Sequence, residues 1–265
     1  LPSGSSRPTW RPACILGRWC YISTMLPAQP NLSLIDGIAV LLAVAGADAA
    51  VGSREVARQL GLEPTRANRL LRTLADLGLT RQDASRKYTS GPGMHVLSAM
   101  SLFGSGLIRR SLPALESLHA LGAIVALGVL WRDRVAYLYH ALPGMPQAEA
   151  LGRAKLFPAT RSSIGLALLA QKPWTNVKQQ YAGRKPEGFD SFAELKDALG
   201  DVRRNGFASV LTDDARTSLA VPLAEPGLEP YAAVAVSGHF SPGQTRTAIA
   251  ALQQAKQTIE KEMKP

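Results

Sequence analysis

Five polar side chains fall within residues 65–72 at a spacing that puts them on one side of a helix: Thr65, Arg66, Asn68, Arg69 and Arg72. Ala67, Leu70, Leu71 and Leu74 make the opposite, apolar side. Such a set can read a DNA major groove. Arginine makes a bidentate contact to guanine and asparagine to adenine, while threonine and further arginines hold phosphates and fix register. Arg81, Arg86 and Lys87 follow close behind and would reach the adjacent backbone or minor groove. An isolated Arg-rich helix is by itself a solvated face, so the surrounding elements decide between the two readings.

Those elements are legible. Ser53 is a good N-cap for a helix over 54–60, which Gly61 closes. Pro64 suits the first turn of the next helix, running to 77 with Gly78 just past its end. Ahead of both, Leu34, Ile35, Ile38, Leu41, Leu42 and Ala45 recur at helical spacing, and Gly46 stops the pattern. Two short strands, 79–80 and 87–89, flank the turn-prone stretch 82–86. Helix, helix, glycine turn, helix and β-hairpin is the order of a winged helix-turn-helix.

Farther on, 93–103 reads as a helix linking two domains, broken by Gly104 and Gly106 before a helix over 107–121. The 104–106 stretch is a hinge rather than a phosphate loop, because no strand precedes it. The period then changes. Short apolar strands at 124–130 and 135–140 are joined by a hairpin-like 131–134, helical patterns return at 162–171 and 192–205, and strands at 219–224 and 231–237 precede a last helix at 244–263. The fold class is α+β with a mostly antiparallel sheet, divided into a leader (1–30), a winged helix-turn-helix domain (31–91), a linker helix (92–106) and a larger C-terminal domain (107–265).

Composition agrees with two soluble domains. The chain has 265 residues with 30 basic and 20 acidic, a formal charge of +10, and enough apolar residues, 46%, for a core in each. Eight bases against four acids fall within 53–90, which is where a polyanion would bind. No apolar run reaches the roughly 18 to 20 residues that span a bilayer, so no membrane partner is expected. Both cysteines, Cys14 and Cys20, lie in the Pro-, Ser- and Arg-rich leader, which lacks signal-peptide order; the natural reading is a reducing cytoplasm. Met25 stands just before the first patterned segment, and one reading places the natural start there, with the upstream residues non-native.

Enzyme chemistry finds no support. There is no Gly-x-Ser-x-Gly elbow and no cysteine beyond the leader, and His95, His119, His140 and His239 are scattered, with no HExxH or CxxC. No catalytic residue, metal site or cofactor is expected.

The segment Gly61-Leu62-Glu63-Pro64-Thr65-Arg66-Ala67-Asn68-Arg69-Leu70-Leu71-Arg72-Thr73-Leu74, followed by Leu77-Gly78, resembles the recognition-helix signature of the IclR family of bacterial transcription regulators. The likeness continues through Tyr88-Thr89-Ser90-Gly91-Pro92, 158–167, Asn205-Gly206-Phe207, Ala220-Val221-Pro222-Leu223 and Val236-Ser237-Gly238, covering about 34–261. Each motif alone is weak; their order and spacing together are specific. The resemblance implies a GAF-like effector-binding C-terminal domain, and dimers or dimers of dimers on palindromic operators.

Departures from the family pattern carry information. Asn68 stands where His is common and Arg66 where Thr is, which changes base preference. Ser218 takes the position of a frequent Cys, Asp213 and Asp214 lie late in a shortened loop, Ala235 replaces a frequent Ser, and Ile164 lies beside Ser163 on the pocket helix. The implied cavity is less suited to a small keto acid than to an aromatic or otherwise larger carboxylate. Ser162, Ser163, Ser218 and Ser237 are expected to face that ligand, with Ile164 and Ala235 shaping the wall; capping or backbone hydrogen bonding is the competing role for the serines. The expected function is a ligand-responsive, DNA-binding transcription regulator working as a homodimer or homotetramer. A sensor module acting through a protein partner, without salt-dependent DNA affinity, is the alternative.

Overall fold

The computed structural model describes residues 29–152, 156–225 and 227–263. Cys14, Cys20, Met25 and nearly all of the leader lie outside the described residues. The chain divides into two compact units, one ending at Ser98 and one starting at Ala99.

In the first unit, α1 (Leu32–Ala45) starts at Asn31, whose side chain accepts the Leu34 N–H at 3.0 Å. A two-residue strand β1 (Val51–Gly52) leads into α2 (Ser53–Leu60) and α3 (Pro64–Asp76). Gly61 ends α2 in the left-handed region at φ 65°, which lets the chain reverse into α3 at little steric cost. Strands β2 (Thr80–Gln82) and β3 (Lys87–Ser90) complete a three-stranded antiparallel sheet in the order β1-β3-β2. Val40 and Val44, Val56 and Leu60, Leu71 and Leu74, and Tyr88 close one core beneath them.

One expectation about the helices needs correction. Ser53 does not cap α2: Gly52 occupies the cap and Ser53 is the first helical residue, with no side-chain cap bond. Gly52 is tied to Lys87 in the sheet, so the turn into the helix comes one residue earlier. The helical period of α1 is observed, although the spacing does not mark its buried face. Ala39, Val40, Ala43 and Val44 face the core while Leu34 and Ile38 are exposed, because a helix apolar nearly all round gives no contrast from which to read a face.

Helix α4 (Pro92–Ser105) contains the division between the units. The second unit continues with α5 (Leu107–Leu118), the hairpin β4 (Ile124–Trp131) and β5 (Arg134–Ala141), α6 (Gln147–Ala150) and β6 (Phe157–Pro158). A 3-10 turn, Ala159–Arg161, then leads into α7 (Ser163–Leu169), α8 (Trp174–Gln180) and α9 (Phe192–Asn205). Strands β7 (Ala208–Leu211), β8 (Thr217–Glu225) and β9 (Leu228–Gly238) and the helix α10 (Pro242–Glu262) follow. The described strands form one antiparallel sheet in the order β6-β5-β4-β9-β8-β7.

Each face of that sheet carries its own core. Strand β9 shows why: Ala232, Val234 and Val236 join the cluster of α5 and α10, whereas Ala233 and Ala235 join the cluster of α7 and α9. A sheet buried on both faces reads as continuous short apolar runs, as 124–130 and 231–237 do. The sequence reading omitted α6, β6, α8 and β7, which are short or polar.

Candidate nucleic-acid interface and effector cleft

The first unit presents the outward side of α3. Helix α2 and the apolar side of α3 pack against each other through Val56, Leu60, Leu71 and Leu74. This leaves Thr65, Asn68, Arg69 and Arg72 exposed. Among the described residues, no side-chain partner engages Asn68, Arg69 or Arg72, so their donors are free. Arg66 is different. It is half-buried, and its Nη2 lies 2.7 Å from Asp36 Oδ2 on α1. The wing adds three exposed cations. Arg81 donates through Nε to Thr89 Oγ1 at 3.1 Å, which steadies it across the hairpin. Arg86 and Lys87 sit at the tip, where Arg86 has φ 60°. Asp83 shapes that tip by accepting the Lys87 N–H at 2.9 Å and the Ser85 hydroxyl at 2.8 Å, bonds that hold its carboxyl below the ordinary carboxylate value. Ser53 is half-buried at the start of α2. Chemically, the face offers an amide and two unpaired guanidiniums at the pitch of a helix beside a basic hairpin, which suits a groove and its phosphates.

The second unit contains a cleft of about 1440 Å³ between α7, the β7–β8 hairpin and the sheet. Its placement depends on Gly165. A Cβ there would lie 2.0 Å from the Ala159 carbonyl oxygen, so only glycine lets the first turn of α7 lie against the 3-10 turn before it. That approach puts Ser162 and Ser163 at the cleft. Ser162 Oγ caps α7 by accepting the Gly165 N–H at 3.3 Å, and it also lies 3.3 Å from the Tyr137 hydroxyl. Burial raises the Tyr137 phenol above its ordinary pKa, so it is neutral at physiological pH. Ser163 Oγ meets Ser218 Oγ of β8 at 2.8 Å. Ser237 pairs with Ser218 in register across β8 and β9, and Ala126 stands opposite Ala235 across β4 and β9.

Of the residues expected at an effector site, Ser162, Ser163, Ser218, Ala235 and Ser237 all line this cleft. Ile164 does not. It is fully buried in the core between α7 and the sheet, beneath Gly128, because the next residue along a helix points about 100° away. His140 lines the cleft, edge-on to Tyr137 at 5.5 Å, whereas His239 does not. Sequence reasoning noted Asp213 and Asp214 but missed Tyr137 and the two arginines, Arg161 and Arg216, that pair with those acids at the mouth. Arg161 Nη2 donates to both carboxylate oxygens of Asp213, at 2.9 and 2.7 Å. The Arg216 guanidinium, followed by the Thr212 hydroxyl, holds the Asp214 carboxyl down to about 2. The adjacency of Arg161 to Ser162 was the one signal that could have pointed there.

Among the described residues, no three His, Cys, Asp or Glu side chains cluster as a metal ion would need, and no helix is long and apolar enough to cross a membrane.

Comparison with known proteins joins the two units. Residues 33–84 match the IclR helix-turn-helix domain. The HTH-type transcriptional regulator BhcR of Paracoccus denitrificans is 30% identical over 200 residues, which is 69% of this chain and 69% of that protein. The fold matches the crystal structure of a protein of Silicibacter sp. TM1040 assigned to the IclR transcriptional regulators, with a TM-score of 0.77 at 23% identity, covering 87% of this chain and 96% of that one. It also matches an IclR homolog from Microbacterium hydrocarbonoxydans in complex with 4-hydroxybenzoate, with a TM-score of 0.66 at 20% identity and coverage of 87% and 98%. With a helix-turn-helix that matches the family and a relative of this identity and span, the chain belongs to the IclR family and is a transcription regulator, not an enzyme.

Proposed function

We propose that this regulator binds double-stranded DNA at a palindromic operator through α3 and the wing, as a homodimer or homotetramer in the cytoplasm, and that a small organic ligand in the cleft changes its operator affinity. The observation that carries the DNA half is the row of unpaired polar side chains Asn68, Arg69 and Arg72 on the outward side of α3. Arg69 and Asn68 are assigned to base edges, and Thr65, Arg72, Arg81, Arg86 and Lys87 to the backbone. Ser53, at the start of α2, is assigned to a phosphate. Assembly is supported by α4, which leaves Val96, Leu97, Met100 and Phe103 exposed. The ligand half rests on the cleft hydroxyls and gains support from the Microbacterium neighbour, whose crystal structure is a complex with 4-hydroxybenzoate. The signal passes by way of α4, as a bias between two arrangements of the winged helices.

The test is a titration of the purified chain against labelled DNA from upstream of its own gene, beside a scrambled duplex of equal length, at several salt concentrations. Specific binding that weakens with salt is the expected result. Equal, weak binding to both duplexes would reject the assignment of α3 as reader.

A further inference from the structure

The charges at the cleft mouth are arranged unequally. Asp214 is committed within its own hairpin, to Arg216 and Thr212. Asp213, one residue before it, instead reaches across to Arg161, fifty-two positions away in the chain, and offers both its oxygens to one guanidinium. The two partners differ in exposure. The Asp213 side chain is 89% exposed, whereas Arg161 is 43% exposed in the cleft wall. Gly188 lies against the Arg161 stem, where a Cβ on the glycine would come 3.2 Å from Arg161 Cγ. The cleft also presents the hydroxyls of Ser162, Tyr137 and Ser163 and the ring of Phe157, while two other charged lining groups are engaged elsewhere, Arg216 with Asp214 and Glu187 with Arg134.

A guanidinium, aromatic rings and neutral hydroxyls lining one cleft describe the complement of a small aromatic carboxylate. The guanidinium is already neutralised, but by a carboxylate that hangs in solvent and loses little by letting go, since an exposed ion pair holds with no more than about fivefold in affinity. We propose that Arg161 is the residue that recognises charge in this cleft, and that Asp213 stands in for the ligand's carboxylate until the ligand displaces it. This rests on the cleft being the effector site. The ligand then donates or accepts with its uncharged end at the Ser162–Tyr137 and Ser163–Ser218 pairs. Asp213 is accordingly a competitor and not a ligand-binding group: it lowers affinity for anions and has no effect on neutral molecules of the same shape.

The experiment is calorimetric titration of the full chain with benzoate and 4-hydroxybenzoate, and with their uncharged amides as controls. The wild type, Arg161→Gln, Asp213→Asn and the double variant are compared. For the carboxylates, Arg161→Gln should weaken binding tenfold or more, about one charge-assisted contact. Asp213→Asn should strengthen it about three- to fivefold, and in the Arg161→Gln background should change nothing. The amides should bind all four proteins alike. Parallel changes for acid and amide overturn the proposal, as does failure of the wild type and Asp213→Asn to bind either carboxylate at millimolar concentration. Ser163→Phe separates the two levels of the argument. Carboxylate binding that Ser163→Phe abolishes and Arg161→Gln leaves alone defeats the Arg161 assignment only, whereas binding indifferent to Ser163→Phe defeats the cleft itself as the site.

Discussion

Arg69→Ala isolates the DNA-reading claim. Arg69 is exposed in the middle of α3, and among the described residues its guanidinium has no partner, so no native contact is lost with it. Besides the helix's own backbone bonds, the Thr73 hydroxyl donates to the Arg69 carbonyl at 3.0 Å, and truncation of the side chain leaves that bond in place. Alanine is also a slightly better helix former than arginine, so the melting temperature should hold. The whole cost therefore falls on the complex. One base or phosphate contact is worth about 1–3 kcal/mol, or roughly 5- to 150-fold in dissociation constant. Fluorescence anisotropy on a labelled upstream duplex at four salt concentrations tells which contact was lost. A phosphate contact flattens the slope of log affinity against log salt by about 0.9, whereas a base contact keeps the slope and relaxes preference at one position. A folded variant with unchanged affinity and unchanged slope would show that α3 does not face DNA.

Other expectations follow from single contacts. Asp36→Ala should free Arg66 and broaden preference at one base while changing affinity by less than Arg69→Ala does, since a partly exposed pair is worth about 0–1 kcal/mol; site selection from a randomised duplex reads this, and an unchanged preferred sequence rejects it. Gly165→Ala forces α7 off the 3-10 turn at a cost of about 3 kcal/mol, which should lower the melting transition of the second unit by roughly 6–12 °C in calorimetry, and an unmoved transition would contradict the packing. Ser163→Phe should abolish ligand response in the operator assay, and loss of operator binding as well would indicate misfolding instead. The folded Asp83 carboxyl titrates below its ordinary value of 3.8, so its support of the wing is complete above that value and is lost as pH falls through the lowered one. The Lys87 amide resonance should report this below pH 3.8, and a transition above pH 4 would refute the assignment.

What could be read from the sequence was whatever local chemistry decides. Helix α9 is bounded by Ser191, whose side chain caps it, and by Gly206 in the left-handed region, and both signals lie within its own neighbourhood. The polar side of α3 was visible for the same reason. Strand pairing, in contrast, overrode the cap at Ser53, because the Gly52–Lys87 register joins positions far apart in the chain. Ile164 went astray by one helical step, a distinction that a list of adjacent residues does not contain. The Arg161–Asp213 pair was out of reach, since neither residue carries a local mark of the other.

The sheet of the second unit carries a packed core on each face, with the cleft opening on one of them. Ala126 and Ala235 line the cleft, and their strand neighbours Val125, Leu127, Val234 and Val236 belong to the same core cluster as Leu107 and Leu115 of α5. Interiors at crystal-like density shift as blocks and do not compress. A molecule seated on those two alanines would therefore load the sheet as a block, and the side chains across the sheet from it include Leu107, the first residue of α5.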